Sequence, residues 1–168
     1  MWMRSRMAAD VTPVAAGSPA VGPVSDRLLA STLAQEIPFL LARARARTSG
    51  EANRRLAQVD LNVRTYSVLS LACSGMSPSQ RELGDFLNLD PSQIVVLVDE
   101  LQNRGAVKRE ADLRDRRSRL IVGTPAGRRL LRRAAGLIDH ATAHMLQALD
   151  PEEQRTLLGL LTRVCFAT

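Results

Sequence analysis

The stretch Arg109–Thr124, READLRDRRSRLIVGT, decides the reading of this chain. It reads as a short strand, a turn crowded with charge and a second strand ending in Leu120, Ile121 and Val122. The turn carries Asp112, Arg114, Asp115, Arg116 and Arg117, with Arg119 just beyond. Immediately upstream, Pro91 to Arg104 places Ile94, Leu97, Val98 and Leu101 at i, i+3, i+4 and i+7, one face of a helix. Asp90 is a good N-cap, Pro91 fits the first helical position and Gly105 closes the helix. A capped helix therefore runs directly into an arginine-tipped hairpin.

Working outward, Ser77-Pro78-Ser79 opens a helix QRELGDFL, with Leu83, Phe86 and Leu87 facing inward and Asn88-Leu89-Asp90 as the turn. Before it, a helix follows Asp60 through LNVRTYSVLSLAC and ends at Ser74-Gly75. Ser25-Asp26 starts a first helix to about Thr48, kinked at Pro38 and ended by Ser49-Gly50, with a short helical piece over Glu51 to Gln58. Beyond the hairpin, Thr124-Pro125 opens a helix to Leu149, on the order of 35 Å long. Asp150-Pro151-Glu152-Glu153 caps a last helix to about Ala167. Residues 1–24, rich in Ala, Pro, Gly, Val and Ser, read as a flexible tail.

The expected architecture is mainly α with a small β-hairpin wing. Residues 61–124 form a winged helix-turn-helix, in which one element suits the major groove and one the backbone and minor groove of DNA. Residues 25–60 and 125–168 carry apolar helical faces too wide for the middle domain alone, so they are expected to form a helical dimerisation region.

Composition agrees and excludes alternatives. Aromatics are 3%, so the core must be Leu, Val, Ile and Ala. Net charge is +6 and the sequence pI about 10.8, a balance that favours polyanions. Only Lys108 among the 23 basic residues is lysine. Two cysteines make no disulfide framework, and no apolar run approaches the roughly 20 residues that span a bilayer. Without an apolar run after Arg4 and Arg6 a signal peptide is not expected, and the reading is a reduced, cytoplasmic protein without membrane partners.

The order of segments and the wing pattern Asp112-x-Arg114-x-x-Arg117 resemble the MarR family of bacterial transcription regulators. The resemblance implies first and last helices intertwined in a homodimer. It also implies Arg114 as the tip residue that enters the minor groove, Arg116 on phosphate, and Asp112 with Arg117 bracing the wing. Members of that family often bind small phenolic or aromatic anions between the dimer helices and the wing domain. Phe39, Arg45 and Tyr66 are the residues whose location fits such a pocket.

On the residues themselves, Ser92, Val96, Asp99 and Asn103 point away from the buried face of the Pro91–Arg104 helix, with Gln93 on a flank. An exposed Val96 suits a thymine methyl, and Ser92 and Gln93 suit base edges or phosphate. Val96 as one scattered surface valine is the bland counterpart. Ser77, Ser79, Gln80 and Pro91 join the DNA-binding set through the helix starts that they form, where free backbone donors bind phosphate. One difficulty stands: from Met76 to Thr124 eight basic residues face eight acidic ones, a net of zero. Four arginines against Asp115 alone between Arg114 and Arg119 concentrate positive charge in the wing, although a solvated charged hairpin has the same composition.

The expected partners are double-stranded DNA with a pseudo-palindromic operator, a second copy and a small-molecule effector. No cofactor, no metal and no catalytic residue is expected. There is no glycine-rich phosphate loop and no nucleophile–base pair. His140 and His144 share a helix face but sit beside Arg129 and Arg133, with only Asp139 and Glu36 as further ligands, so two surface histidines are favoured over a metal pair. Cys73 reads as a small buried residue, redox sensing being its alternative, and Cys165 falls in the last helix. A winged-helix module that binds protein instead of DNA is the rival reading, and a redox- or metal-responsive regulator a lesser one.

Overall fold

The computed structural model describes residues 25–112 and 119–166. A short helix α1 (Asp26–Leu29) and a 3-10 turn (Thr32–Gln35) lead into α2 (Ile37–Leu56). The middle comprises α3 (Val63–Cys73), α4 (Gln80–Leu87), α5 (Pro91–Asn103), β1 (Val107–Ala111) and β2 (Arg119–Gly123). Two long helices follow, α6 (Pro125–Met145) and α7 (Pro151–Phe166). The chain is thus mainly α with one β-hairpin.

The helix starts follow their capping residues. The Asn62 side chain accepts from Thr65 N at 3.0 Å while Asn62 N donates to Thr65 Oγ1 at 2.9 Å, a reciprocal pair that fixes the start of α3. Ser79 and Glu82 do the same for α4. Asp90 caps α5, with Pro91 in the first turn where its missing N–H costs nothing. Two helices begin or end elsewhere than expected. The first is broken at residues 30–36, and Pro38 lies in the first turn of α2, so it terminates no hydrogen bond and makes no kink. Ser49-Gly50 does not end α2. Gly50 is buried inside it, close to the small residues Ser49 and Ala52 where α2 approaches α6, and the Glu51–Gln58 piece is the continuation of the same helix. The α6 helix stops at Met145 rather than Leu149, and the next residues form turns before Asp150.

The core lies almost wholly between Leu56 and Ile121. Leu56, Val68, Leu69, Leu83, Ile94, Val98, Leu101 and Ile121 are fully buried, joined by Ala134 of α6. β1 and β2 pair antiparallel with Val107 opposite Gly123 and Arg109 opposite Ile121. The Pro78–Ser79 segment adds a third short edge: Ser79 bridges Leu120, and Ile121 N donates to Pro78 O at 2.8 Å. This ties the start of α4 to the hairpin. The far end of the hairpin is tied to α6. Thr124 Oγ1 donates to Gly105 O at 2.6 Å, and a Cβ on Gly127 would lie 1.9 Å from Ala106 O, so only glycine allows that approach.

Candidate DNA-binding interface

α5 sits on the core by Ile94, Leu97, Val98 and Leu101, which are 8% exposed at most. The opposite face is open. Ser92, Gln93, Val95, Val96, Asp99 and Asn103 are exposed, Val96 to 64%. Val95, which the periodicity did not single out, is a second exposed valine beside it. The acidity of this helix is partly answered from the hairpin. Arg109 on β1 donates from Nη2 to Asp99 at 2.6 Å and from Nη1 to Gln102 at 2.7 Å. At the other end Arg104 donates to the carbonyls of Asp60 and Val59, clamping the end of α5 to the chain between α2 and α3.

The nominated residues divide by how much of their hydrogen bonding is already engaged. Ser79 is committed to its cap, its hydroxyl donating to Glu82 Oε2 at 2.8 Å and its N–H to the same oxygen at 2.7 Å. That pair of donors holds the Glu82 carboxyl below its ordinary range. Ser92 donates from both N–H and hydroxyl to Asp90, which lowers the Asp90 pKa in turn. Ser77 is half-buried with φ of +50°, a left-handed residue in the turn before α4. The Gln80 amide nitrogen is enclosed and has no hydrogen-bond partner among the described residues. Gln93 and Val96 are exposed on the open face, and among the described residues the Gln93 side chain has no hydrogen bond. Arg114, Arg116 and Arg117 lie outside the described residues; Asp112, at the end of β1, is half-buried near Glu82.

One residue on this face was missed. Arg64, in the first turn of α3, lines a shallow cleft of about 330 Å³ together with Ser92, Gln93, Val96 and Leu97. A charge census confined to residues 76–124 excludes it. The signal was the Asn62 cap, which starts a helix and so places Arg64 one step from a buried Thr65.

The opposite side of the same turn faces a cavity of about 260 Å³ enclosed by α2, α3 and α6. Val63, Tyr66 and Ser67 line it from α3, Thr48, Ser49 and Ala52 from α2, and Ile138, Ala141, Thr142 and Met145 from α6. Of the three pocket residues expected from location, Tyr66 lines this cavity and Phe39 and Arg45 do not. Arg45 is exposed on α2, about one turn before Thr48. Burial, with the Asp139 charge nearby, raises the Tyr66 phenol, which stays protonated and able to donate. Elsewhere, Cys73 is half-buried under Gly123, and burial raises its thiol, the direction opposite to a reactive thiolate. Cys165 is exposed. Among the described residues no three His, Cys, Asp or Glu side chains gather to hold a metal ion, and no helix is long and apolar enough to cross a membrane.

With this geometry in place, comparison with known proteins is decisive. The sequence profile of the MarR family matches residues 59–118. A MarR-family transcriptional regulator from Rhodococcus sp. RHA1 is 38% identical, and its crystal structure matches with a TM-score of 0.78 over 82% of this chain and 98% of that one. This chain belongs to the MarR family. Its hairpin, α4 and α5 are therefore the family's winged helix-turn-helix. CouR from Rhodococcus jostii RHA1, crystallised with p-coumaroyl-CoA, is 37% identical with a TM-score of 0.75, covering 82% of this chain and 97% of that one. A transcriptional repressor named CouR, bound to a 23-mer DNA duplex, is 27% identical with a TM-score of 0.73 over 80% and 95% of the two chains. Both belong with transcriptional regulators, as does this chain.

Proposed function

We propose that this protein is a homodimeric, cytoplasmic transcriptional repressor without catalytic activity, which binds a pseudo-palindromic operator through α5 and the hairpin. One observation carries the reading. α5 is anchored on one face by four buried residues and offers Gln93 and Val96 on the other, with a hairpin following directly. α5 enters the major groove, where Val96 meets a thymine methyl and Gln93 a base edge. Arg114 reaches the minor groove, Arg116 a phosphate, and Asp112 with Arg117 braces the wing. Residues 61–124 act as the DNA-binding domain, and residues 25–60 with 125–168 as the dimerisation region. The DNA-bound relative supports the binding mode.

The cavity beside Tyr66 is the site for a releasing ligand. Its walls are apolar apart from hydroxyls and the neutral Tyr66 phenol, and among the described residues no cation lines it. Such a lining favours an uncharged aromatic molecule with a hydrogen-bonding group over an aromatic anion. This shifts the expectation of a phenolic anion held by Arg45 towards a neutral ring.

The test is titration of the purified protein against DNA from just upstream of its own gene, at two salt concentrations. Tight binding that weakens steeply with salt and survives excess unrelated DNA is expected. Replacing Arg114 by alanine is expected to weaken it strongly while the dimer stays folded. Unchanged affinity of Arg114→Ala at matched salt refutes its assignment. The neutral charge of residues 76–124 favours one second reading, a winged-helix module that binds protein. Weak binding that competitor DNA abolishes would select that reading.

A further inference from the structure

From the placement of its guanidinium we infer that Arg64, on α3 and outside the helix-turn-helix pair, is a contact to the DNA backbone. The inference rests on the DNA-binding reading above. It starts from how four other cations of the domain are engaged, Arg119 on β2 being exposed like Arg64. On α4, Arg81 lies 3.7 Å from Asp85. On β1, Lys108 pairs with Glu110 at 2.6 Å and Arg109 with Asp99 at 2.6 Å. Arg104 is held by two backbone carbonyls. Arg64 is exposed, and among the described residues it has neither an ion-pair nor a hydrogen-bond partner.

Its position is fixed by its neighbours and not by a partner of its own. Asn62 and Thr65 lock the first turn of α3, and Val63 N donates to Asn53 Oδ1 of α2 at 2.8 Å, so the turn is pinned from two sides. Thr65 and Val68 are fully buried. From there Arg64 overhangs the cleft shared with Ser92, Gln93 and Val96. A strand whose bases meet Val96 and Gln93 passes its phosphodiester over that cleft, where a guanidinium offers two parallel N–H donors. Arg64 thus supplies a positive charge that residues 76–124 as a set do not.

The experiment measures affinity across a salt series for wild type, Arg64→Ala, Arg64→Lys and Arg155→Ala. The last removes an equal charge near the start of α7, the end remote from Phe166. Two ~30-base-pair duplexes serve as probes, one from upstream of the gene and one unrelated. Loss of one phosphate contact from each protomer of the dimer lowers the slope of log affinity against log salt by about 1.8, and affinity near 0.1 M salt by about 60-fold. Arg64→Ala is expected to do this on both duplexes alike, because a backbone contact carries no sequence information. Arg64→Lys is expected to recover most of the slope, and Arg155→Ala to leave it unchanged. An Arg64→Ala slope equal to a steep wild-type slope overturns the inference alone, and so does a loss confined to the upstream duplex. A flat wild-type slope on both duplexes overturns the DNA-binding reading and this inference with it. Circular dichroism of each variant excludes unfolding as the cause of any loss, and Arg64→Gln, which removes the charge but keeps most of the stem, takes the place of Arg64→Ala if that variant unfolds.

Discussion

The middle of this molecule and its ends are built from the same residues and solve opposite problems. From Leu56 to Ile121 most apolar side chains are inside, Met76, Phe86, Val95 and Val96 excepted, on a core that α3, α4, α5 and the hairpin build with Leu56 of α2 and Ala134 of α6. In α1 and α7 no residue is buried at all. Leu28, Leu29, Leu33, Ile37, Leu40 and Leu41 at one end, and Leu158, Leu160, Leu161 and Val164 at the other, stand more than a third exposed. A row of such residues at helical spacing is a face without a partner, not scattered surface apolarity. The difference teaches that one chain carries enough information for the reading head but not for its own ends, which a second copy completes in the proposed dimer.

The comparison breaks or sharpens by substitution. Leu101→Ala opens a hole in a fully enclosed site and is expected to destabilise by about 2–5 kcal/mol, read from urea unfolding. Leu158→Glu with Val164→Glu on α7 is expected to do the reverse: sedimentation shows monomers, while the middle keeps its helical signal. Equal loss of stability in both cases would mean that the ends are as self-sufficient as the middle. A smaller effect is expected where the two regions join. Gly127→Ala forces a methyl against Ala106 O, a backbone atom that must move, at a cost of about 1–3 kcal/mol in thermal unfolding.

The smallest effect is a pH dependence confined to the middle. Glu82 has a folded pKa below its ordinary 4.5 because Ser79 donates to it twice. A lowered carboxyl contributes stability that is present above the unfolded pKa and lost as pH falls through the folded one. Glu82→Gln is therefore expected to melt slightly lower than wild type at pH 7, and to converge with it in acid. A gap that persists there would assign the effect to shape and not to charge.

Most of the middle was legible because its signals are local. Ser79, Asp90 and Thr124 each cap the helix that follows, and the period of Ile94, Leu97, Val98 and Leu101 gave the buried face directly; the Asn62 cap of α3, two residues after Asp60, was the exception. The first helices were misread because an apolar stripe from Leu29 to Leu41 continues across a break that hydropathy does not register. Pro38 looks the same in a first turn as in an interior. Gly50 looks like a terminator until its neighbours show that α6 comes close. The site was legible only in part for a related reason. Gln93 and Val96 follow from one helix, but the Arg109–Asp99 pair joins residues ten apart, and Arg64 meets α5 only through the fold. Phe39 and Arg45 were placed by analogy of location, which cannot see which way a helix turns its face.

The first turn of α3 is a partition one residue thick. Arg64 faces the cleft of α5, while Val63, Tyr66 and Ser67 face the cavity. Anyone wishing to retune this protein as a sensor inherits that geometry. Changing ligand preference from the α3 wall would disturb the turn that aims Arg64, so sensitivity and operator affinity would shift together. Ala141, Thr142 and Met145 on α6 line the same cavity from the far side, and if the cavity holds the proposed ligand they are the positions from which its recognition would be redesigned without touching the turn that carries Arg64.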